Sequence, residues 1–192
     1  MFSYLSNASA ITFIVIATLS FYFIATLYIF FYRFKIIKHR LKIEQNALNS
    51  LYQSKSAEPP AMSIFAVYKK REYKNLEDIL KAAINDTVRI STNSLTYLSI
   101  MASTSPFIGL FGTVVGILEA FSRLGNIKSA SLNVVAPAIS EALIATAVGI
   151  FVAIFAYSFH LLLKRKIYEL SSILESELEI ILSRESKSVP VG

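Results

Sequence analysis

Three long apolar stretches alternate with charged segments along the chain. They cover residues 11–32, 98–121 and 134–163. A helix that crosses the hydrocarbon core of a bilayer needs about 20 apolar residues, so each stretch is long enough. The first 32 residues contain no Asp, Glu, Lys or Arg. The pattern therefore predicts three transmembrane helices, placed in a lipid bilayer.

The charged segments between and after these stretches also show helical periodicity. Apolar residues recur every three or four positions in the segment before the second stretch and in the tail after the third. In the tail they are Ile167, Leu170, Leu174, Leu178 and Ile181. Pro59 and Pro60 interrupt the first of these segments. No strand pattern is evident, so the sequence predicts an all-α membrane protein whose three transmembrane helices continue into long cytoplasmic helical extensions.

The distribution of charge predicts the orientation in the membrane. Residues 33–97 hold twelve Lys or Arg and six Asp or Glu, which accounts for the whole formal charge of +6. Cytoplasmic segments of membrane proteins carry an excess of basic residues. We therefore expect residues 33–97 and 164–192 in the cytoplasm, and the N-terminus, residues 1–10, in the periplasm with the loop 122–133. A cleaved signal peptide is less favoured, because no basic residue precedes the first apolar stretch.

Composition excludes several classes of function. The chain has no cysteine and two histidines, which argues against disulfides, thiolate nucleophiles and metal sites. The basic segment is explained by membrane topology, so nucleic-acid binding is not expected. No phosphate-binding, dinucleotide-binding or hydrolase motif is present. We expect no cofactor and no enzymatic activity.

Small residues recur at helical spacing in the second and third apolar stretches. Such stripes let helix backbones approach closely in lipid. The favoured interpretation is tight packing within one subunit, and the alternative is a pore or a contact with a partner helix. The candidate packing or pore-lining residues are Pro106, Gly109, Gly112, Gly116, Ala145 and Gly149.

Three polar residues lie within these apolar stretches at similar depths. Counted from the outer ends at 1.5 Å per residue, Glu141 lies ~10 Å deep, Thr113 ~12 Å and Thr146 ~18 Å. A carboxylate inside a span is costly and usually faces a bundle interior or a water cavity. The threonines can alternatively bond only the carbonyl one turn back, and a neutral Glu141 can simply join two helices. If Glu141 moves protons, a second titrating group has to come from another chain.

Two sequence motifs carry a resemblance to a known family. Residues 101–121 (MASTSPFIGLFGTVVGILEAF) and 135–149 (VAPAISEALIATAVG) resemble the two signature runs of the MotA/TolQ/ExbB proton-channel family. The similarity is strongest over about residues 90–156, and the loop after the second stretch resembles TolQ proteins more closely than ExbB proteins. Departures include Phe155, where the family usually has proline, and Val115, where tryptophan is common.

The resemblance implies a function, a location and partners. Thr113, Glu141 and Thr146 match positions associated with coupling to the proton-motive force. Family members form a pentamer in the bacterial inner membrane around a dimer of a small single-span protein, TolR or ExbD, whose membrane helix carries an Asp. The complex drives TolA or TonB across the periplasm. We therefore expect a Tol-Pal-type motor subunit, with an ExbB-type subunit or a passive membrane scaffold as alternatives.

Overall fold

The computed structural model describes residues 10–54, 58–66, 76–124 and 132–188. These residues form three long helices, α1 (Ala10–Gln53), α2 (Leu76–Leu124) and α3 (Leu132–Ser188), with a short segment of turns at 58–66. The described ranges contain no β-strand. The all-α prediction is therefore confirmed, while the expected N-terminal tail and most of the loop 122–133 lie outside the described residues.

Each helix is much longer than a membrane span. The helices contain 44, 49 and 57 residues, which corresponds to about 65–85 Å at 1.5 Å per residue. All three are long and apolar enough to cross a membrane, as the apolar stretches predicted. Pro106 lies inside α2 and Pro137 inside α3 without ending either helix. The side of the membrane that each helix end faces stays a prediction.

One compact unit is formed by the apolar parts of the helices. This apolar unit comprises Met1–Phe30 and Thr96–His160. Its core cluster contains Val15, Leu19, Ala145 and Val152. Many large apolar side chains point outward instead, among them Phe107 at 70% exposure and Leu118 at 67%. This surface suits contact with lipid or other apolar helices rather than water.

The charged parts of the helices form a second compact unit. This charged unit comprises Phe31–Leu95 and Leu161–Gly192. Its buried core draws on all three helices and on the segment 58–66, and consists of Leu51, Phe65, Leu80, Ile84, Leu170, Leu174, Leu178 and Ile181. The last four come from the apolar stripe that the tail sequence predicted, so that interpretation of the periodicity is confirmed.

Candidate functional site

The backbones of α2 and α3 touch where two glycines meet. A methyl group added at Gly109 would lie 2.7 Å from the Ala145 carbonyl oxygen, and one added at Gly149 would lie 2.6 Å from the Ser105 carbonyl oxygen. Carbon atoms do not normally approach carbonyl oxygens so closely. Only glycine therefore fits at these two positions without a shift of the helices.

The other small residues continue the same contact and extend it to α1. A methyl group at Gly112 would lie 2.9 Å from Val15 Cγ1, and one at Gly116 would lie 2.9 Å from Ala142 Cβ. Ala145 is fully buried in the same region. The predicted small residues of α2 and α3 thus meet one another, and Pro106 of α2 is half-buried. Their part in lining a pore stays a prediction.

Thr113 and Thr146 meet across this close helix contact. Their hydroxyl groups form a hydrogen bond with each other. The Thr113 hydroxyl also lies 3.1 Å from the Ala142 carbonyl oxygen and 3.3 Å from the Gly109 carbonyl oxygen. The Thr146 hydroxyl lies 3.2 Å from that same Gly109 oxygen. We call these two hydroxyls and the two carbonyls the threonine pair.

The threonine pair differs from several other hydroxyls of the membrane helices. Thr18, Thr104 and Ser140 each donate to the carbonyl four residues earlier in their own helix, which is the common arrangement. Thr146 instead bonds only to groups of α2. Thr113 bonds to its own helix and also to the Ala142 carbonyl of α3. The interpretation that the threonines serve only their own helices is therefore wrong for both.

The threonine pair allows more than one pattern of hydrogen bonds. A hydroxyl donates one proton and accepts at its two lone pairs. In one pattern Thr146 donates to Thr113 and Thr113 donates to the Ala142 carbonyl; in the other Thr113 donates to Thr146 and Thr146 donates to the Gly109 carbonyl. Rotation of the two hydroxyls alone interconverts these patterns. The pair can thus respond to a charge or proton nearby without movement of the backbone.

Glu141 lies apart from the threonine pair. Its side chain is half-buried and forms no hydrogen bond with either threonine. It precedes Thr146 by five positions, which places the two side chains about 140° apart around α3. Its neighbour Ala142 supplies the carbonyl that accepts from Thr113. The structure therefore brings the two threonines together and leaves the carboxylate on another face.

Metal ligands are not grouped in this region. Within the described ranges, no set of three or more His, Asp or Glu side chains is placed to hold a metal ion. The polar groups of the site are hydroxyls, backbone carbonyls and a single carboxylate. This set can accept, donate and relay hydrogen bonds, and it offers a proton one titratable group.

Phe155, which stands where the resembling family usually has proline, belongs to a column of aromatic rings. Its ring contacts Phe23 edge-on at 5.6 Å between centroids and lies 4.8 Å from the ring of Phe151. Next along α3, Phe159 stacks on Phe30 with centroids 4.0 Å apart and planes 11° from parallel. The aromatic column joins α1 to α3, and α3 continues through this region as a helix.

Two buried carboxylates of the charged unit were not predicted from the sequence. Glu44 is 1% exposed and Glu177 is fully buried. The signal was present in the spacing, since Glu177 falls three residues after Leu174 in the apolar stripe of α3. Glu44 likewise falls between Leu41 and Leu48 in a stripe of α1.

Comparison with known proteins agrees with the two motifs. Residues 43–176 match the model of the MotA/TolQ/ExbB proton channel family. A relative from Helicobacter pylori strain 26695, named biopolymer transport protein ExbB-like 1, is 42% identical over 183 residues, which cover 95% of this chain and 96% of that protein. The Tol-Pal system protein TolQ of Haemophilus influenzae is 51% identical over 75 residues, 39% of this chain and 33% of that protein. The biopolymer transport protein ExbB of Salmonella typhimurium is 38% identical over 96 residues, 50% of this chain and 39% of that protein. The chain is thus a multi-pass protein of the inner membrane that belongs to the MotA/TolQ/ExbB proton channel family.

Proposed function

We propose that this chain is a motor subunit that couples proton flow down the proton-motive force to work on a periplasm-spanning partner. The observation that carries the proposal is the threonine pair, two hydroxyls bonded to each other between two apolar helices. A polar group inside a membrane span is costly and usually functional. Membership of a proton channel family implies that protons pass through the assembly. The threonine pair provides hydroxyl groups whose hydrogen bonds can change as a proton passes nearby.

The proposed division of labour follows from the chemistry of each group. Glu141 is the acidic residue near the threonine pair along α3, and its carboxyl group accepts and releases the proton. Thr113 and Thr146 exchange their hydrogen bonds as that charge changes. A single carboxylate does not form a relay, so the second acidic group comes from the partner. The resemblance identifies it as the membrane Asp of a TolR-like or ExbD-like protein.

The proposed assembly is a homopentamer around a dimer of that single-span protein. The apolar unit supports this because it leaves large side chains exposed on all three helices, for example Phe21, Phe107 and Ile154. Neighbouring subunits and the lipid bilayer together cover such a surface. The complex then acts on a TolA-like or TonB-like protein in the periplasm.

The favoured pathway is a Tol-Pal-type system that maintains the cell envelope. In its support, the 75 residues matched to the TolQ of Haemophilus influenzae are 51% identical, and the 96 residues matched to the ExbB of Salmonella typhimurium are 38% identical. An ExbB-type role in TonB-dependent uptake is the second candidate, favoured by the name of the Helicobacter relative that covers the whole chain.

A deletion strain separates these two pathways. We expect loss of the gene to make cells sensitive to detergent and to leave uptake of iron complexes unchanged. Restoring the full-length chain should restore detergent resistance. Loss of iron uptake with normal detergent resistance would instead assign the chain to the TonB pathway.

Proton coupling is tested in vesicles that contain the full-length chain and its single-span partner. Proton flux under an imposed gradient should be abolished by Glu141→Gln and reduced at least about tenfold by Thr146→Val, whereas Thr146→Ser keeps the hydroxyl and most of the flux. Ser140→Ala and Thr104→Val are matched controls, because each removes a hydroxyl that serves only its own helix. Both controls should conduct as the unmodified chain does.

A passive scaffold makes a different prediction for the same experiment. It requires assembly with the partner but no dependence on the gradient. All variants should therefore co-purify with the partner in either case. Flux that is unchanged in Glu141→Gln and Thr146→Val, with envelope function intact in cells, would favour the scaffold and reject the motor.

A further inference from the structure

The carboxyl groups of Glu44 and Glu177 bind the same short stretch of chain inside the charged unit. The Ser63 hydroxyl donates to Glu177 Oε2 at 3.0 Å, and the Ile64 amide donates to Glu44 Oε1 at 3.3 Å. The Phe65 amide in turn donates to the Ser63 hydroxyl oxygen at 3.3 Å. The segment 58–66 is thus fastened to α1 by one carboxyl group and to α3 by the other.

One oxygen of each carboxyl group takes part in no hydrogen bond. Glu44 Oε2 and Glu177 Oε1 are buried and have no hydrogen-bond partner. Two buried carboxylates, both ionised and each with an unbonded oxygen, would be strongly unfavourable, because burial and mutual repulsion both oppose the second charge. A single proton relieves both problems, since it removes one charge and supplies a donor.

The surroundings offer little other compensation. The segment 58–66 contributes the Ser63 hydroxyl, the Ile64 amide and, at its exposed start, Glu58. From α1, the positive charge of Arg40 acts on Glu44. From α2, the packed residues are the apolar Leu80 and Ile84. The charged residues of the neighbouring turns of α2 and α3 are exposed at the surface: Glu77, Asp78, Lys81, Glu175 and Glu179.

We propose that Glu44, Glu177 and Ser63 form a binding site for one proton, shared between the two carboxyl groups, that holds the segment 58–66 closed against α1 and α3. The proton resides on Glu177, and Glu44 remains ionised. The site uses none of Thr113, Glu141 or Thr146, so it does not rest on the proposed coupling function. The bound proton comes from the solution on the side of the membrane where the charged unit lies.

A metal ion is a poorer occupant than a proton. Calcium takes six to eight oxygen ligands and magnesium six in a near-octahedral shell. Beyond the two carboxyl groups and one hydroxyl, the neighbouring core is made of apolar side chains such as Leu51, Phe65 and Leu174. A proton needs only one free carboxyl oxygen.

The electrostatics agree in direction. Burial and, to a smaller extent, the negative charge of Glu44 raise the pKa of Glu177 to about 8, against the opposing effect of the hydrogen bond from Ser63. Burial also raises the pKa of Glu44, against the opposing effects of Ser63, Ile64 and Arg40. Because the closed site binds its proton more tightly than the opened one, closure is favoured at low pH. That advantage is lost as the pH rises from the ordinary value of 4.5 toward about 8.

Amide hydrogen exchange on the full-length protein in lipid nanodiscs tests this. After correction for the intrinsic rate, protection of the Ile64 and Phe65 amides should fall by about tenfold per pH unit between about 4.5 and 8, then level off. Glu177→Gln keeps a donor and removes the carboxyl group that holds the proton. Its protection should therefore change far less with pH, with only the smaller dependence that comes from the raised pKa of Glu44. Glu179→Gln is the matched control, an exposed residue on the same helix, and should follow the unmodified protein.

A second variant and a spectroscopic measurement complete the test. Glu44→Gln removes the repelling charge, so protection should level off at a lower pH than in the unmodified protein. Infrared spectra of the unmodified protein should show a protonated carboxyl band that disappears as the pH rises through about 8. If that band is absent, or if protection in Glu177→Gln varies with pH as it does in Glu179→Gln, the proton site is rejected. If amide protection levels off at the same pH in Glu44→Gln as in the unmodified protein, the two carboxyl groups do not share the proton. If calcium or magnesium restores protection at high pH, the site binds a metal ion instead.

Discussion

At the scale of single residues, the threonine pair behaves as one unit. Thr113 has one proton to donate and three acceptors within reach, one of which is the hydroxyl of Thr146. Removal of either hydroxyl therefore also disrupts the hydrogen bonds of the other. A hydrogen bond between membrane helices is worth about 0.6 kcal/mol on average. The losses in free energy of unfolding caused by replacing Thr113 and by replacing Thr146 should accordingly not be additive.

This non-additivity is measurable in a double-mutant cycle. We expect Thr113→Val and Thr146→Val each to lower the free energy of unfolding in detergent by about 1 kcal/mol, and the double variant to cost clearly less than the sum. Coupling of residues in one hydrogen-bond network is typically at least about 0.5 kcal/mol. Thr18→Val combined with Thr104→Val, two hydroxyls that bond only their own helices, should be additive. Strict additivity in the threonine pair would show that the two hydroxyls act independently.

At the scale of helices, the contact of α2 with α3 depends on the absence of side chains. A methyl group at Gly149 would lie 2.6 Å from the Ser105 carbonyl oxygen, so Gly149→Ala must push the helices apart. Overpacking of this kind costs about 1–3 kcal/mol, although alanine is the better helix former. Thermal denaturation in detergent should show a lower melting temperature for Gly149→Ala. Ala147→Leu, on an exposed face two residues earlier, should leave the melting temperature close to that of the unmodified chain.

The aromatic column makes a separate contribution to helix packing. Phe155 contacts the rings of Phe23, Phe151 and Phe159, and such pairs are worth about 0.5–1.5 kcal/mol each beyond the area they bury. We expect Phe155→Ala to lower the free energy of unfolding by at least about 1 kcal/mol, as measured by denaturation in detergent. Phe107→Ala, whose ring is 70% exposed, should cost less. Equal losses of free energy of unfolding in both variants would mean that the ring contacts of Phe155 contribute no stability beyond the burial of its side chain.

The helices themselves could be predicted from the sequence, but their contacts could not. Apolar length and periodicity indicated three spans, the break at Pro59 and Pro60, and a buried stripe in the tail of α3, because these depend on local spacing. The register of α2 against α3 pairs residues such as Thr113 and Thr146, which are 33 positions apart. A stripe of small residues identifies the face of each helix that packs, but not which turn of α2 lies against which turn of α3. The burial of Glu44 and Glu177 was missed for a related reason, since a carboxylate within an apolar stripe is normally expected at its solvated edge.

At the scale of the whole molecule, the separation of charge determines how the chain can be placed in a membrane. The apolar unit has almost no formal charge in its helices, whereas the charged unit holds the basic excess of residues 33–97. Moving such a basic segment across the membrane is disfavoured. We therefore expect the charged unit to stay in the cytoplasm, with the loop 122–133 on the opposite side.

The absence of cysteine makes this orientation directly testable. Because the unmodified chain has no thiol, a single introduced cysteine is the sole target for a membrane-impermeant maleimide in this protein. Glu179→Cys, at an exposed position of α3, should be labelled only after the inner membrane is opened. Asn126→Cys, in the predicted outer loop, should be labelled in spheroplasts that remain sealed. If Glu179→Cys is labelled in sealed spheroplasts and Asn126→Cys only after the membrane is opened, the orientation is the reverse of the predicted one. The shared-proton site of Glu44 and Glu177 would then be exposed to periplasmic rather than cytoplasmic pH.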